Sequence, residues 1–317
     1  MSIAFTFPGQ GSQQVGMGAE LARGYESARR VFEEVDEALG QKLSQIIWEG
    51  PPENLMLTEN AQPALMAVSV AVMRVLEQDK GIILKDKAKF VAGHSLGEYS
   101  ALAAAGSLSL AETARLLKIR GQAMQAAVPV GEGAMAALLG LELPDARKLA
   151  EAAAEGDVCQ VANDNAPGQV VISGNKAAVE RAVEIASEYG ARRAVLLPVS
   201  APFHCALMQS AADAMAEALA DVKIKAPGVP LIANVVAGEI SAPEDIRARL
   251  VEQVTGVVRW RESVVYMGEA GVTTLYEIGA GRVLTGLARR IERSLEAISV
   301  GTPDEVEQAG QALAASA

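Results

Sequence analysis

The sequence predicts an α/β fold in which one large domain carries a smaller inserted one. Three observations lead there. Half of the 317 residues are hydrophobic and only 4% are aromatic, the balance of a core made of aliphatic strands and alanine-rich helices. Short apolar runs end at glycine-rich turns and give way to stretches of helical periodicity. The stretch 128–197 follows the order β-α-β-β-α-β, the split βαβ pattern of a ferredoxin-like unit. A chain of this length exceeds one ordinary core. The main domain is therefore expected at 1–127 and 198–317, and the inserted subdomain at 128–197.

Each element follows from a local signal. Ile3 to Phe7 reads as a buried strand opening into the loop Pro8-Gly-Gln-Gly-Ser-Gln-Gln. Helical spacing predicts helices over Tyr25 to Leu39 and Gln62 to Gln78. Lys89-Phe-Val-Ala reads as a second strand ending at Gly93, followed by alanine-rich helices over Gly97 to Ala105 and Leu110 to Ala126. In the insert, strands are expected at Ala134 to Leu138, Val158 to Ala162, Gln169 to Ser173 and Arg192 to Leu197. Helices are expected at Pro144 to Ala154 and Lys176 to Tyr189. After Ser200-Ala-Pro-Phe-His-Cys comes a long alanine-rich helix. A strand at Val272 to Glu277 then leads through Gly279-Ala-Gly-Arg into a further helix.

Composition excludes several classes. A net charge of -11 speaks against a nucleic-acid surface, which needs a basic excess to displace phosphate counterions. No apolar run is long enough to span a bilayer, and the N-terminus lacks the basic flank of a signal peptide. Cys159 and Cys205 are too few for a disulfide framework. With two distant histidines they give no metal-ligand spacing, so no metal is expected. The cytoplasm is the expected location.

The chemistry concentrates at Gly93-His-Ser-Leu-Gly97, a G-x-S-x-G between a strand and a helix. The glycines allow a sharp turn that projects Ser95 at a helix N-terminus. There the Leu96 N–H and the helix dipole can stabilise an oxyanion. A serine nucleophile needs a base, and the chain has two histidines. His94 adjoins Ser95 and is expected to point away at so tight a turn, which leaves His204. Arg120 stands in an otherwise apolar stretch, either on a solvated helix face or as a planar fork for a carboxylate. The turn Gly279-Ala-Gly-Arg lacks the Lys-Ser/Thr of a phosphate loop and reads as packing.

Seven ordered motifs carry a family resemblance. They are Phe7-Pro-Gly-Gln-Gly-Ser-Gln13, Gln62-Pro-Ala-Leu65, Gly93-His-Ser-Leu-Gly-Glu-Tyr99, Arg120-Gly-Gln, Asn163-Asp-Asn-Ala-Pro-Gly-Gln-Val-Val-Ile-Ser-Gly174, Pro202-Phe-His-Cys205 and Gly279-Ala-Gly-Arg-Val-Leu. From about Ile3 to Ile291 the chain resembles the malonyl-CoA:acyl carrier protein transacylases. The resemblance implies an α/β-hydrolase-like parallel-sheet core with an inserted ferredoxin-like subdomain. It also implies ping-pong transfer of malonyl from malonyl-CoA, through a malonyl-serine, to the pantetheine thiol of acyl carrier protein, with no bound cofactor.

Carried onto this sequence, the resemblance gives Ser95 as nucleophile and His204 as base. The N–H groups of Gln10 and Leu96 form the oxyanion hole, and Arg120 takes the substrate carboxylate. The backbone of Gln253 orients the histidine, and Gln62, Asn165 and Phe203 line the pocket, with Phe203 favouring malonyl. The family's usual proline is replaced by Ala280. Two competing readings have counter-signals. A serine hydrolase of the α/β-hydrolase fold carries its histidine near the chain end and an HGGG-type oxyanion motif, neither of which is found here. A non-catalytic acyl-binding scaffold has no need of Ser95, His204 and Arg120 together. The acidic carrier protein is expected on a local basic patch formed by Arg282, Arg289, Arg290 and Arg293, with Lys118 and Arg192 as further candidates.

Overall fold

The computed structural model describes residues 2–315, so the expected domain ends at 1 and 317 lie outside the described residues. The strands among them are β1 (Ile3–Phe7), β2 (Ala88–Gly93), β3 (Gly133–Leu139), β4 (Cys159–Ala166), β5 (Gln169–Asn175), β6 (Arg193–Leu196), β7 (Leu231–Ala233), β8 (Gly238–Ile240), β9 (Thr274–Ile278) and β10 (Glu296–Val300). They form two sheets. The larger runs in the order β10-β9-β1-β2-β7-β8, parallel throughout except for β8, which pairs antiparallel with β7. The smaller runs β4-β5-β3-β6 and is antiparallel. The architecture is α/β, as expected.

The sequences of the central strands fit their places. β1 and β9 are buried along their whole length. β1 reads as the nearly continuous apolar run of a strand covered on two faces, while β9 carries Glu277, whose carboxylate accepts from the Leu284 and Thr285 N–H groups. The Thr58–Gln78 helix is buried almost all round and packs between the Glu26–Leu39 and Leu110–Ala126 helices. Helices Leu143–Ala154 and Lys176–Ile185 cover the smaller sheet and share with it a separate aliphatic core.

Several boundaries differ from expectation, among them the helix expected over Lys176 to Tyr189, which ends at Ile185 and tightens to a 3-10 turn over Ala186–Tyr189. The helix expected from Gln62 begins at Thr58, with Pro63 inside it. A proline this near the start removes one early hydrogen bond and leaves the later turns intact. β4 extends to Ala166 because polar Asn163, Asp164 and Asn165 continue the pairing through two irregularities in register. The helix Val283–Ile291 stops before Arg293, since Glu292 turns extended (φ −139, ψ 104). Arg293 therefore does not share a helix face with Arg289 and Arg290.

The register of β1 and β2 pairs Phe7 with Gly93. The loop after β1 and the turn after β2 consequently leave the sheet side by side at the carboxyl edge, where sites in parallel α/β sheets form.

Candidate active site

β2 ends at Gly93 and the Gly97–Ala104 helix follows at once, so the chain reverses within His94, Ser95 and Leu96. Two glycines permit this. A Cβ on Gly93 would lie 1.9 Å from the Gly97 carbonyl carbon, and one on Gly97 would lie 2.3 Å from the Phe7 carbonyl oxygen. Ser95 itself takes φ 54, a left-handed conformation that costs on the order of 1–3 kcal/mol and persists only where neighbours enforce it. The neighbours are in place. Ser95 N–H donates to Asn234 Oδ1 (2.8 Å), Asn234 Nδ2 donates to the Gly93 carbonyl (2.7 Å), and Gln253 Nε2 donates to the Ser95 carbonyl (2.9 Å).

His204 comes from the turn before the Gln209–Ala220 helix, also at positive φ (58). Its Nε2 lies 2.8 Å from Ser95 Oγ and its Nδ1 lies 2.9 Å from the Gln253 carbonyl. A carbonyl only accepts, so Nδ1 carries the proton and Nε2 offers its lone pair to the serine hydroxyl. Among the described residues no acid side chain hydrogen-bonds this imidazole. Burial pushes the His204 imidazole down to about 3, and the neighbouring Arg120 cation pushes the same way. His94 turns away from Ser95, with its Nε2 2.8 Å from Asn165 Oδ1 and its ring against Trp260. Burial lowers it too.

Arg120 is 1% exposed, so its position is not a solvated helix face. One terminal nitrogen donates to Gln62 Oε1 (2.7 Å). The other donates to Gln253 Oε1 (2.8 Å) and Ser95 Oγ (3.1 Å). The Tyr99 ring lies 5.7 Å away, and the buried Nε has no partner. Among the described residues no carboxylate forms an ion pair with this guanidinium.

The β1 loop presses on the turn. A Cβ on Gly9 would lie 2.7 Å from the His94 carbonyl oxygen, and the Gln10 side chain reaches Thr58 Oγ1 (3.3 Å). The backbone N–H groups of Gln10 and Leu96 donate to no acceptor among the described residues. Phe203 is buried in the main core beside His204.

Two further residues join the cluster without having been singled out from sequence, Glu98 and Asn234. Glu98 is buried and its carboxylate accepts from Asn234 N–H (2.5 Å) and from Gln253 Nε2. Burial draws the carboxyl up to about 8, while Asn234, Gln253 and the Arg120 charge pull the other way. Glu98 was legible as the last acidic residue of the Gly93-to-Tyr99 motif. Asn234 follows a three-residue strand and carries no local signal.

The expected basic residues are partly engaged. Arg289 donates to the Ala297 carbonyl (3.2 Å) and Arg290 to the Pro167 carbonyl (3.3 Å) and to Gln169. Arg282 pairs with Glu305 (2.7 Å) and Lys118 with Glu59 (3.3 Å). The two amides at the start of the Val283–Ile291 helix already bind the Glu277 carboxylate (3.0 and 2.7 Å), which agrees with reading that turn as packing. A cavity of about 1230 Å³ bounded by Met17, Phe32, Trp48 and Gly281 includes none of Ser95, His204 and Arg120.

Known proteins resemble the chain over nearly its whole length. The acyl transferase domain family matches residues 4–304. A malonyl CoA-acyl carrier protein transacylase of Bacillus subtilis (strain 168) is 47% identical over 312 residues, 98% of this chain and 97% of the relative. The crystal structure of an acyl-carrier-protein-S-malonyltransferase from Bartonella henselae is 62% identical, covering 99% of this chain and 100% of that one with a TM-score of 0.97. A malonyl-transacylase in complex with a type II PKS acyl-carrier protein is 43% identical over 98% of this chain and 100% of that one, with a TM-score of 0.95.

Proposed function

Because the chain belongs to the acyl transferase domain family, we propose that its Ser95 site transfers malonyl groups from malonyl-CoA to acyl carrier protein for fatty-acid chain extension. The observation that carries this reading is the buried Arg120 guanidinium, 3.1 Å from the oxygen of a serine that is itself paired with His204. An acyl site with a fixed cation beside its nucleophile suits an acyl group that ends in a carboxylate. Malonyl-CoA enters this scheme as a substrate, and no step of it calls for a bound cofactor.

In the first half-reaction Ser95 Oγ attacks the thioester carbonyl while His204 Nε2 takes its proton. The Gln253 carbonyl holds the resulting imidazolium through Nδ1–H. The oxyanion accepts from the free N–H groups of Leu96 and Gln10. The C–S bond breaks, CoA leaves as its thiol with the proton from His204, and malonyl remains on Ser95 as an ester. In the second half-reaction the carrier's pantetheine thiol gives its proton to His204 and attacks that ester. The C–O bond breaks and Ser95 recovers the proton. Gln62 and Gln253 hold the Arg120 fork through both steps, Asn165 holds His94 out of the way, and Phe203 closes the acyl pocket.

The strand order of the smaller sheet supports a division into a catalytic core at 1–127 and 198–317 and a ferredoxin-like subdomain at 128–197. No helix among the described residues is long and apolar enough to cross a membrane, and we assign the chain to the cytoplasm. The deciding experiment is mass spectrometry of the chain after incubation with malonyl-CoA. A malonyl adduct on Ser95 that persists until holo-acyl carrier protein discharges it is expected. An adduct lost to water at once marks a hydrolase, and no adduct marks a non-catalytic binder.

A further inference from the structure

A buried cation with no adjacent anion is unstable in a low-dielectric interior, where charges are retained when paired. Arg120 is such a cation, and the carboxylate of Glu98 is the other buried charge in the cluster. One amide separates them. Gln253 Oε1 accepts from Arg120 at 2.8 Å, and Gln253 Nε2 donates to Glu98. Turning this amide round would set an NH2 against the guanidinium and an oxygen against the carboxylate, so the two charges fix its orientation between them.

The fixed amide acts on both reacting groups. The same Nε2 donates to the Ser95 carbonyl (2.9 Å), and the backbone carbonyl of the same residue orients His204 (2.9 Å). The other oxygen of Glu98 accepts from Asn234 N–H, whose side chain spans the serine turn from Ser95 N–H to the Gly93 carbonyl. Burial draws the Glu98 carboxyl up to about 8, but both of its oxygens face N–H donors, a pattern that suits the ionised carboxylate and leaves no acceptor for a carboxyl proton.

We propose that Glu98 is the resident counter-charge of Arg120, coupled to it through the Gln253 side-chain amide, and that this relay positions Ser95 and His204. Glu98 and Asn234 are positioning residues, since each acts on the reacting atoms through its hydrogen bonds to Gln253 or to the turn that carries Ser95. In the empty site Glu98 balances the guanidinium at one remove, and the fork is held by neutral acceptors with no carboxylate directly on it. An arriving substrate carboxylate then finds a cation held in place and unpaired. The relay rests on the malonyl-transfer reading only for the identity of that carboxylate.

Glu98→Gln keeps the side chain's shape but sets an NH2 against one of its two donors. Malonylation of Ser95 in a single turnover, followed by mass, should slow at least ten-fold. The Kd for malonyl-CoA, measured in the Ser95→Ala background, should stay level or tighten, because Arg120 has lost its resident counter-charge. A rate within two-fold of the parent, or a Kd that weakens in step with the rate, overturns the relay.

A melting-temperature cycle gives a second reading. Glu98→Gln with Arg120→Gln removes both charges, and the double variant should lose less than the two single losses together. Additive losses overturn the proposal. If Glu98→Gln alone does not fold, recovery of a folded double variant supports the pairing and continued failure refutes it. The cycle uses no substrate. A wild-type chain that transfers no malonyl group therefore refutes the function while the relay remains tested.

Discussion

Arg120 sets the clearest expectation at the scale of single residues. Malonyl ends in a carboxylate that stays ionised at neutral pH and is costly to desolvate without a countercharge. A planar guanidinium donates two parallel hydrogen bonds to it in a geometry lysine does not reproduce. Arg120→Ala should lower kcat/KM for malonyl-CoA by roughly 2 to 5 kcal/mol, the usual cost of stranding a buried charge. Acetyl-CoA, which lacks the carboxylate, should lose much less, through the released Gln253 amide alone, and Arg120→Lys should recover part of the malonyl rate. Equal losses on both substrates in folded protein would make Arg120 structural.

Ser95→Ala should abolish the covalent adduct, and His204→Ala should slow both half-reactions by ~10² to 10⁴-fold. A larger loss from His94→Ala would reverse the choice of base. The His204 imidazole, held down to about 3 by burial and Arg120, also has a pH signature. Between about 3 and its ordinary 6.5 the unfolded chain binds a proton that the folded site refuses, so this contribution to stability is lost as pH falls through that window. In the free enzyme the base is already neutral above it. The pH profile of kcat/KM for malonyl-CoA should therefore show no histidine limb near 6.5, and a limb there contradicts the buried neutral base. Ser95 and His204 were legible because motif and residue scarcity isolate them, Arg120 because it stands in an apolar stretch, and Gln253 only through the family resemblance. Asn234 was not, because its role depends on a β2–β7 pairing that brings together residues far apart in sequence.

Elements with one uniform environment were the easiest to read. β1, buried on both faces, and the amphipathic Glu26–Leu39 helix lie within a residue of expectation. β4 was cut short because Asn163 to Asn165 are polar, yet the fold places the Asn165 side chain on His94 beside the site and Asp164 on Arg261 of the neighbouring helix. The Val283–Ile291 helix shows the opposite error, since its basic run outlasts the helix itself. Its exposed Arg289 and Arg290 remain the candidates for meeting an acidic carrier protein, although each already bonds a backbone carbonyl. Reversing both to Glu should raise KM for carrier protein and mimic added salt, while the rate of Ser95 malonylation by malonyl-CoA stays unchanged. An unaltered carrier KM in folded protein moves the docking surface elsewhere.

For the whole molecule the question is what locks the two sheets together. β4 of the smaller sheet pairs with the chain just after Gln253, through Asp164 N–H to the Val258 carbonyl (3.0 Å) and Val258 N–H to the Ala162 carbonyl (2.9 Å). Arg261 reinforces this junction from the Trp260–Glu269 helix, bonding Asp164 (2.9 Å) and Glu142 (3.1 Å). Asp164 is buried, with one carboxylate oxygen lacking any partner. Burial raises its carboxyl and Arg261 pulls it back. Arg261→Leu should therefore strand a buried charge. Breaking a buried pair costs about 3 to 5 kcal/mol, and because Arg261 keeps a quarter of its side chain exposed, the loss belongs at or below ~3 kcal/mol. Urea denaturation would read it as a lower midpoint. Adding Asp164→Asn removes the stranded charge and should recover part of the loss, whereas a double variant no more stable than Arg261→Leu shows that the loss does not come from the stranded Asp164 charge. Because the junction abuts the segment whose carbonyl orients His204, Arg261→Leu should also slow Ser95 malonylation, and the charge-neutral double variant should restore rate and stability together.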